Sequence, residues 1–296
     1  MKETLELRVN KEFSNLLFKE TEGKDSGSFI KVIEVSKDDP RCVRIPIISQ
    51  QVLEKYKQSF FYGWTIKRKY SPKELDNAKF LNLIIKTKFE PVGEECGTVY
   101  DETGACAICG ANRKIVGELI LRKGSIPKKD ISKTIAGEIV VSQRFVDICE
   151  KYSIRGIAFN RVRYASGSSE YFMLTVTNGF NVSNQTITGI TPFNLSENDG
   201  EEVYKCPSGH TVGLNIISEL VFTADGLSNS DCLASRQKIG VKRGVLRPES
   251  LLLCSQRFRA MVKNEGLTGL DFEVAHVEAW ILGTLYMLHS SIGFII

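Results

Sequence analysis

Two stretches of this chain recur almost residue for residue, and an internal repeat constrains architecture more strongly than any other sequence feature. Val141–Phe145 (VSQRF) returns as Cys254–Phe258 (CSQRF), and Ile154–Phe159 (IRGIAF) returns as Leu267–Phe272 (LTGLDF). Both pairs are separated by 113 positions, so a continuous segment of about twenty residues matches without a gap. The sequence therefore predicts two tandem copies of one folding unit.

Each copy is predicted to be a strand-strand-helix-strand unit. In the first copy, the apolar runs Glu118–Leu121 and Ile139–Val141 are typical of strands. Ser142 suits an N-cap, because its hydroxyl can accept a backbone N–H of the first helical turn, and apolar residues at helical spacing follow it. In each copy a further strand is predicted after the helix, through Ile157 and Phe159 in the first and through Leu270 and Phe272 in the second. The second copy has about twelve additional residues before Ser255, and their Gly and Pro content predicts a loop or short hairpin over 238–248.

A cysteine-rich turn stands at the head of each copy. The first reads Cys106-Ala-Ile-Cys109-Gly110, and the second reads Cys206-Pro-Ser-Gly-His210, with 100 positions between the leading cysteines. Structural Zn²⁺ takes four N or S ligands tetrahedrally, and the Cys-x2-Cys spacing allows one turn to present two thiolates to one metal ion. We therefore expect one structural zinc site, formed by Cys106, Cys109, Cys206 and His210, that bridges the copies.

A redox pair and a catalytic zinc site are the two alternative roles for these cysteines. A redox Cys-x2-Cys pair needs a thiolate at a helix N-terminus, and the residues after Cys109 do not predict a helix. A catalytic zinc site needs an open ligand position, whereas four good ligands are present here. Cys96 has no second cysteine nearby, so we expect it to be buried or to support the site rather than to bind the metal.

The sequence favours a protein that is not an enzyme. It has no phosphate-binding glycine loop and no nucleophile elbow, and the repeated Ser-Gln-Arg at Ser142 and Ser255 fits helix capping better than a catalytic serine. Asp130 and Asp231 recur with a hydroxyl four residues later, which is typical of turns and caps. An enzyme with an unrecognised site would need a cleft between the copies, lined by Arg113, Asp130, Asp231 and Arg236.

The remaining chain is predicted to be α+β, with an N-terminal region over 1–92, a first repeat over 93–180 and a second repeat over 181–296. In the N-terminal region, the alternating segment Phe29–Val35 predicts a strand. A helix is expected near Ser49, with Val52, Leu53 and Tyr56 on one face. Ser71-Pro72 predicts the N-cap and first residue of a second helix.

Composition narrows the choice of partner and compartment. Among 296 residues, Lys and Arg number 39 and Asp and Glu 35, a balance too even for a strong polyanion-binding surface. A nucleic-acid-binding zinc protein therefore stays the less favoured alternative. Eight cysteines without a recognisable signal peptide favour a reducing cytoplasm. The uncharged stretch 279–296 is barely long enough to cross a bilayer, so a buried terminal element is expected and membrane association is not.

The doubled cysteine motif and Leu267-Thr-Gly-Leu-Asp-Phe-Glu-Val274 resemble bacterial double-CxxCG motif proteins, which include immunity proteins of contact-dependent and polymorphic toxin systems. The resemblance covers about 96–277. Gly209-His210 stands where that family's pattern has Cys-Gly, so zinc binding there depends on His210 in place of Cys. The resemblance implies a cytoplasmic protein that binds and occludes a cognate toxin, a role that requires no catalytic residues.

Overall fold

The computed structural model describes residues 1–189, 205–225 and 227–278. Within these ranges the chain is a mixed α+β protein that consists mostly of strands and has few helices. None of the helices in these ranges combines enough length and apolarity to span a lipid bilayer. The apolar stretch 279–296, for which we predicted a buried element, lies outside the described residues.

The N-terminal region forms a four-stranded sheet and two helices. The elements are β1 (Lys2–Asn10), β2 (Lys24–Ser26), β3 (Ile30–Ser36), α1 (Ile45–Tyr56), β4 (Phe61–Lys69) and α2 (Pro72–Asn77). The sheet order is β2-β3-β1-β4, with antiparallel pairing throughout. The predicted Ser71 N-cap is present at α2, and the structure adds a capping box, in which Ser71 and Glu74 each accept a hydrogen bond from the other's backbone N–H.

Helix α1 begins earlier than its sequence pattern suggests and presents a different face to the core. The Pro-containing segment Val43–Ile48 mostly lies in the helix or just before it, because Pro is accommodated in the first turn. Ile45, Ile48 and Val52 pack against the apolar face of the sheet. Leu53 and Tyr56, which we predicted on the buried face with Val52, are exposed.

The rest of the described chain forms two six-stranded sheets, two two-stranded sheets and two helices. The elements are β5 (Phe80–Ile85), β6 (Lys88–Phe89), β7 (Val99–Asp101), β8 (Lys114–Val116), β9 (Leu119–Leu121), β10 (Ile131–Thr134), β11 (Ile139–Ser142), α3 (Gln143–Lys151), β12 (Ile157–Tyr164), β13 (Gly167–Val176), β14 (Gly179–Phe180), β15 (Thr188–Gly189), β16 (Asn215–Ile216), β17 (Leu220–Phe222), β18 (Cys232–Ile239), β19 (Glu249–Ser255), α4 (Gln256–Glu265) and β20 (Leu270–Val277). The first large sheet has the order β6-β10-β11-β13-β12-β9, and the second has the order β14-β18-β19-β5-β20-β17.

Corresponding strands in the two large sheets pair in the same register. Val162 of β12 lies opposite Leu119 of β9, and Ala275 of β20 lies opposite Leu220 of β17, with both pairs parallel. These positions differ by the 113 and 101 residues that separate the repeated sequence segments. One edge strand of each sheet and the strand beside it are therefore built from the repeated sequence segments.

Two strands in each large sheet come from outside the segments matched in the sequence, namely β6 and β13 in the first and β5 and β14 in the second. Phe172 of β13 lies opposite Val141 in the first sheet, and Leu81 of β5 lies opposite Cys254 in the second. Strand β5 precedes residue 92 in the chain, yet it pairs with β19 and β20 near the C-terminal end of the described residues. Strand β5 is therefore distant in sequence from both of its neighbours, whereas β13 directly follows its neighbour β12.

Helices α3 and α4 lie in one hydrophobic core, which also contains residues from the inner faces of both large sheets. Phe145 of α3 and Phe258 of α4 are fully buried, with ring centroids 6.4 Å apart. Their neighbours include Leu81 of β5 and Phe172 of β13. Smaller cores cover the other faces of the two sheets. The large shared core fixes how the two halves of this region lie against each other.

Reciprocal polar contacts also join the two halves. Asp130 accepts the backbone N–H of Thr268 at 2.8 Å, and Asp231 accepts the backbone N–H of Arg155 at 2.9 Å. Arg144 and Arg257 each extend from the first turn of one helix to a carbonyl at the end of the other helix, Arg144 to Glu265 and Arg257 to Tyr152. A cation at a helix C-terminus interacts favourably with its exposed carbonyls. These contacts hold each helix end against the opposite half.

Candidate metal centre

Four side chains from two distant segments converge on one point. The ligand atoms of Cys106, Cys109, Cys206 and His210 all lie within 4.8 Å of one another. The Sγ atoms of Cys106 and Cys206 are 3.7 Å apart, and His210 Nδ1 lies 3.7 Å from the Sγ atoms of both Cys109 and Cys206. All four predicted ligands are therefore brought together, and the cluster could hold a metal ion.

Three of the six separations between ligand atoms match the edges of a tetrahedral shell, and the separation of Cys106 from Cys206 excludes a disulfide between them. With Zn–S near 2.3 Å and Zn–N near 2.0 Å, a tetrahedral site has S–S edges of about 3.8 Å and S–N edges of about 3.6 Å. A disulfide would bring two sulfurs to about 2.0 Å, far closer than the 3.7 Å between Cys106 and Cys206. Three sulfurs and one imidazole nitrogen form a donor set that suits a soft or borderline divalent ion.

The first ligand turn, between β7 and β8, is a tight loop closed by its own backbone. Cys106 donates its N–H to the carbonyl of Ala111 at 2.9 Å, and its carbonyl accepts the N–H of Gly110 at 2.8 Å. Gly110 has φ +70, a conformation that a residue with a Cβ rarely adopts. No helix follows Cys109, since the next regular element is β8. The surroundings therefore lack the helix N-terminus that a redox Cys-x2-Cys pair uses.

The second ligand turn is anchored to strand β18. Cys206 accepts the N–H of Gly209 at its carbonyl, and its own N–H donates to Thr211 Oγ1 at 2.9 Å. The carbonyl of His210 accepts the N–H of Lys238 at 2.8 Å. Because β18 is a central strand of the second large sheet, His210 is held by rigid backbone.

The first ligand turn also lowers the pKa of the Cys106 thiol. The backbone N–H of Cys109, the His210 ring and the backbone N–H of Ile108 all bond to the Cys106 sulfur, and they lower the pKa of this thiol to about 6. Burial acts in the opposite direction at Cys109 and raises the pKa of its thiol to about 11. A thiolate at Cys106 is the form that binds metal.

Lys238 is a residue of this site that the sequence did not single out. Its side chain lies close to Cys109 and is half-buried, and burial lowers its pKa while attraction to the Cys109 sulfur opposes that change. Three thiolates and one neutral imidazole around a divalent ion carry a net charge of minus one. An ammonium group beside the cluster offsets that charge. No local motif marks Lys238, because only the pairing of β18 with the second turn brings it there.

The other predicted polar residues have structural contacts. Ser142 and Ser255 cap α3 and α4, and each hydroxyl accepts a backbone N–H three residues later at 3.2 Å. Asp130 also accepts Arg144 Nη1 at 3.0 Å, and Asp231 accepts the Ser255 hydroxyl at 2.8 Å. The serine caps are the ones we expected, whereas the two aspartates bond mainly across the halves, to Thr268 and Arg155, and not within local turns to Thr134 and Ser235.

The remaining candidates for the metal site or for a catalytic cleft lie apart from the four ligands. Cys96 ends a short helical turn outside the cluster, and burial raises the pKa of its thiol. Arg113 bonds to Glu94 at 2.6 Å and stacks on Tyr100, while Arg236 packs against Gly179. Arg113 and Arg236, which an enzyme's cleft would need beside Asp130 and Asp231, therefore contact other residues than the two aspartates do.

Comparison with known proteins adds no assignment, because no protein-family model and no curated protein sequence matches this chain.

Proposed function

We propose that residues 80–277 contain two copies of one unit that have exchanged a strand. If the copies begin at β5 and β13, then every strand of the first large sheet has a counterpart in the second at the same place in the strand order. The registers of β12 with β9 and of β20 with β17 support this alignment. Each copy then donates its first strand to the sheet that holds the rest of the other copy.

We propose further that the cluster binds one structural Zn²⁺. The donor set of three thiols and one imidazole, and edges of 3.7 Å, support zinc rather than a hard cation. All four tetrahedral positions would be occupied by protein, so no position would be left for a reactive water. Bound there, the ion would cross-link the two copies through turns that lie outside the shared hydrophobic core.

The function that this arrangement supports best is a bacterial cytoplasmic protein-binding module, of the immunity type that neutralises a cognate toxin. The closed four-ligand site is the observation that carries this proposal, because it supports a metal that stabilises a scaffold. The resemblance to double-CxxCG proteins indicates the toxin as partner. Binding by occlusion needs a rigid, correctly folded surface, and a zinc cross-link supplies rigidity.

The test combines metal analysis with protection from the toxin. The gene should neighbour a toxin gene, and co-expression of this chain with that toxin should restore growth. Purified protein should contain about one zinc per chain, and His210→Ala should lose both zinc and protection. His276→Ala is the matched control, since His276 lies outside the cluster and pairs with Glu219. A metal-free protein, or a toxin that the wild-type chain does not neutralise, would refute the proposal.

A further inference from the structure

We infer that the surface beside the metal turns binds an acidic region of a partner protein that inserts an apolar side chain. This inference rests on the proposed function as a binding module and assigns the face that it uses. We call this face the turn–hairpin surface. Its members are Ile108, Lys205, Val241, Lys242, Arg243 and Leu246.

The hairpin that contributes most of this surface is ordered by its own hydrogen bonds and by the first metal turn. Arg243 donates its N–H to the carbonyl of Leu246 at 3.2 Å, and Leu246 donates back to Arg243 at 2.9 Å. The side chains of Lys242 and Arg247 lie over Gly110, with their Cδ atoms 3.4 and 3.5 Å from the position a Cβ would take. The hairpin therefore lies directly against the Cys106–Cys109 turn.

Apolar side chains project from both parts of this surface. Ile108, between the two cysteine ligands, is 63% exposed, and Leu246 and Val241 on the hairpin are 43% and 39% exposed. Single exposed apolar residues are common, but these three project from two turns that lie against each other at Gly110. An apolar patch surrounded by polar residues is typical of a protein-binding site.

Exposed cations lie beside the apolar residues of the hairpin, and one of them, Lys242, is also attracted to the Glu94 carboxylate. Lys242 and Arg243 are exposed and form no ion pair with any residue that the structure describes. Their neighbour Arg247 differs, because it bonds to Glu94 at 3.1 Å, and Arg113 bonds to the same carboxylate. Lys205, next to Cys206, is also exposed. Complementary charge at an interface accelerates association and selects partners, so this surface favours an acidic one.

The surface also has the wrong composition for nucleic acid. Single-stranded nucleic acid is bound by aromatic side chains that stack on bases, within a groove of cations. None of the six members is aromatic, and aliphatic side chains occupy the centre of the patch. A protein side chain fits that centre better than a phosphate does.

The position of the hairpin in the fold supports a role beyond folding. Strands β10 and β11 are joined by residues 135–138, whereas the corresponding strands β18 and β19 are joined by residues 240–248. The first sheet is complete without such an extension. The hairpin is thus an addition to one half only, and its apolar and cationic side chains face solvent.

The experiment measures binding of three labelled probes to the full-length, zinc-loaded chain by fluorescence anisotropy. The probes are an Asp- and Glu-rich peptide with a central Leu-Phe pair, the same peptide with Ser in place of that pair, and a single-stranded DNA. We expect the first peptide to bind most tightly. Lys242→Glu with Arg243→Glu should weaken it by at least about ten-fold, as should Ile108→Ser with Leu246→Ser.

A double reversal elsewhere provides the matched control. Lys123→Glu with Lys128→Glu makes the same change in net charge on an exposed loop and should leave peptide binding unchanged. Zinc content and melting temperature are measured for every variant, so that loss of folding is recognised. Tightest binding of DNA, no binding of the first peptide, or equal binding by hairpin and control variants would each overturn the inference. With zinc and toxin protection intact, those results leave the proposed function standing.

Discussion

Two glycines in the second half provide a sharp test of how closely the halves pack. Gly266 and Gly269 both have positive φ, of +62 and +99. A Cβ at Gly266 would meet nothing within 4 Å, whereas one at Gly269 would lie 2.0 Å from the carbonyl oxygen of Ile131 in β10. Both changes to Ala carry backbone strain, but only Gly269→Ala forces the two halves apart.

The expected costs follow from these distances. Left-handed backbone costs a non-glycine residue about 1–2 kcal/mol, which is the whole expected effect of Gly266→Ala. At Gly269 the Cβ needs more than 1 Å of additional separation from a backbone atom that cannot rotate away. That movement would disturb the hydrogen bonds from Ile131 N–H to Thr268 and from Lys86 N–H to Gly269, each worth about 1 kcal/mol. We therefore expect Gly269→Ala to cost about 3–4 kcal/mol.

Urea denaturation of the zinc-loaded proteins, followed by circular dichroism, measures the difference. Gly156 is the equivalent position in the first half, where a Cβ would lie 2.3 Å from the carbonyl oxygen of Cys232. Gly156→Ala should therefore resemble Gly269→Ala and not Gly266→Ala. If all three variants had the same midpoint, the close approach of the halves would be wrong.

Three further predictions concern the metal, a buried hydroxyl and a buried carboxylate. Cys106→Ser and His210→Ala should each abolish stoichiometric zinc in elemental analysis and lower the free energy of unfolding by at least about 4 kcal/mol, because the link closes a loop of nearly a hundred residues; undiminished stability after chelation would contradict this. Ser132→Ala should stabilise the protein slightly or leave it unchanged in thermal melts, since its buried hydroxyl has no hydrogen-bond partner among the residues that the structure describes, whereas Ser235→Ala should cost about 1 kcal/mol, because that hydroxyl accepts the N–H of Leu251 at 2.8 Å. Asp130→Asn should cost about 1.5–3 kcal/mol at pH 7: burial alone would raise the pKa of Asp130, but hydrogen bonds from Thr268 and Arg144 hold it below its usual value, so its stabilisation is present above about pH 4 and is lost as pH falls through the folded pKa. A wild-type acid-unfolding curve that coincides with that of the variant would refute the last prediction.

The four residues of the candidate metal site could be predicted from sequence because the spacing that marks each pair is local. Cys-x2-Cys and Cys-x3-His each place two ligand atoms within one turn, so spacing alone identifies the groups. The helix starts at Ser142 and Ser255 are local for the same reason, since each cap depends on a hydroxyl and a backbone N–H three residues later. Lys238 could not be found in this way, because it reaches the site through strand pairing.

The placement of β5 was the largest feature of the fold that the sequence did not reveal. Phe80–Phe89 and Tyr171–Phe180 share an apolar pattern, with Leu83 matching Leu174 and the final Phe repeated, at a spacing of 91 positions. That signal is weak, because a buried strand accepts many apolar residues. Which distant strand β5 joins is decided by pairing and burial across the whole sheet, and no local sequence rule contains that information.

The proposed strand exchange has a consequence for the evolution of this chain. An ancestral gene that encoded only one half would have produced a polypeptide with an incomplete sheet and with two of the four ligands of the proposed metal site. Such a polypeptide could complete its sheet only by exchanging strands with a second copy in a dimer. Duplication and fusion of that gene would have joined the two copies in one chain. One half could then have acquired the hairpin that the other half lacks.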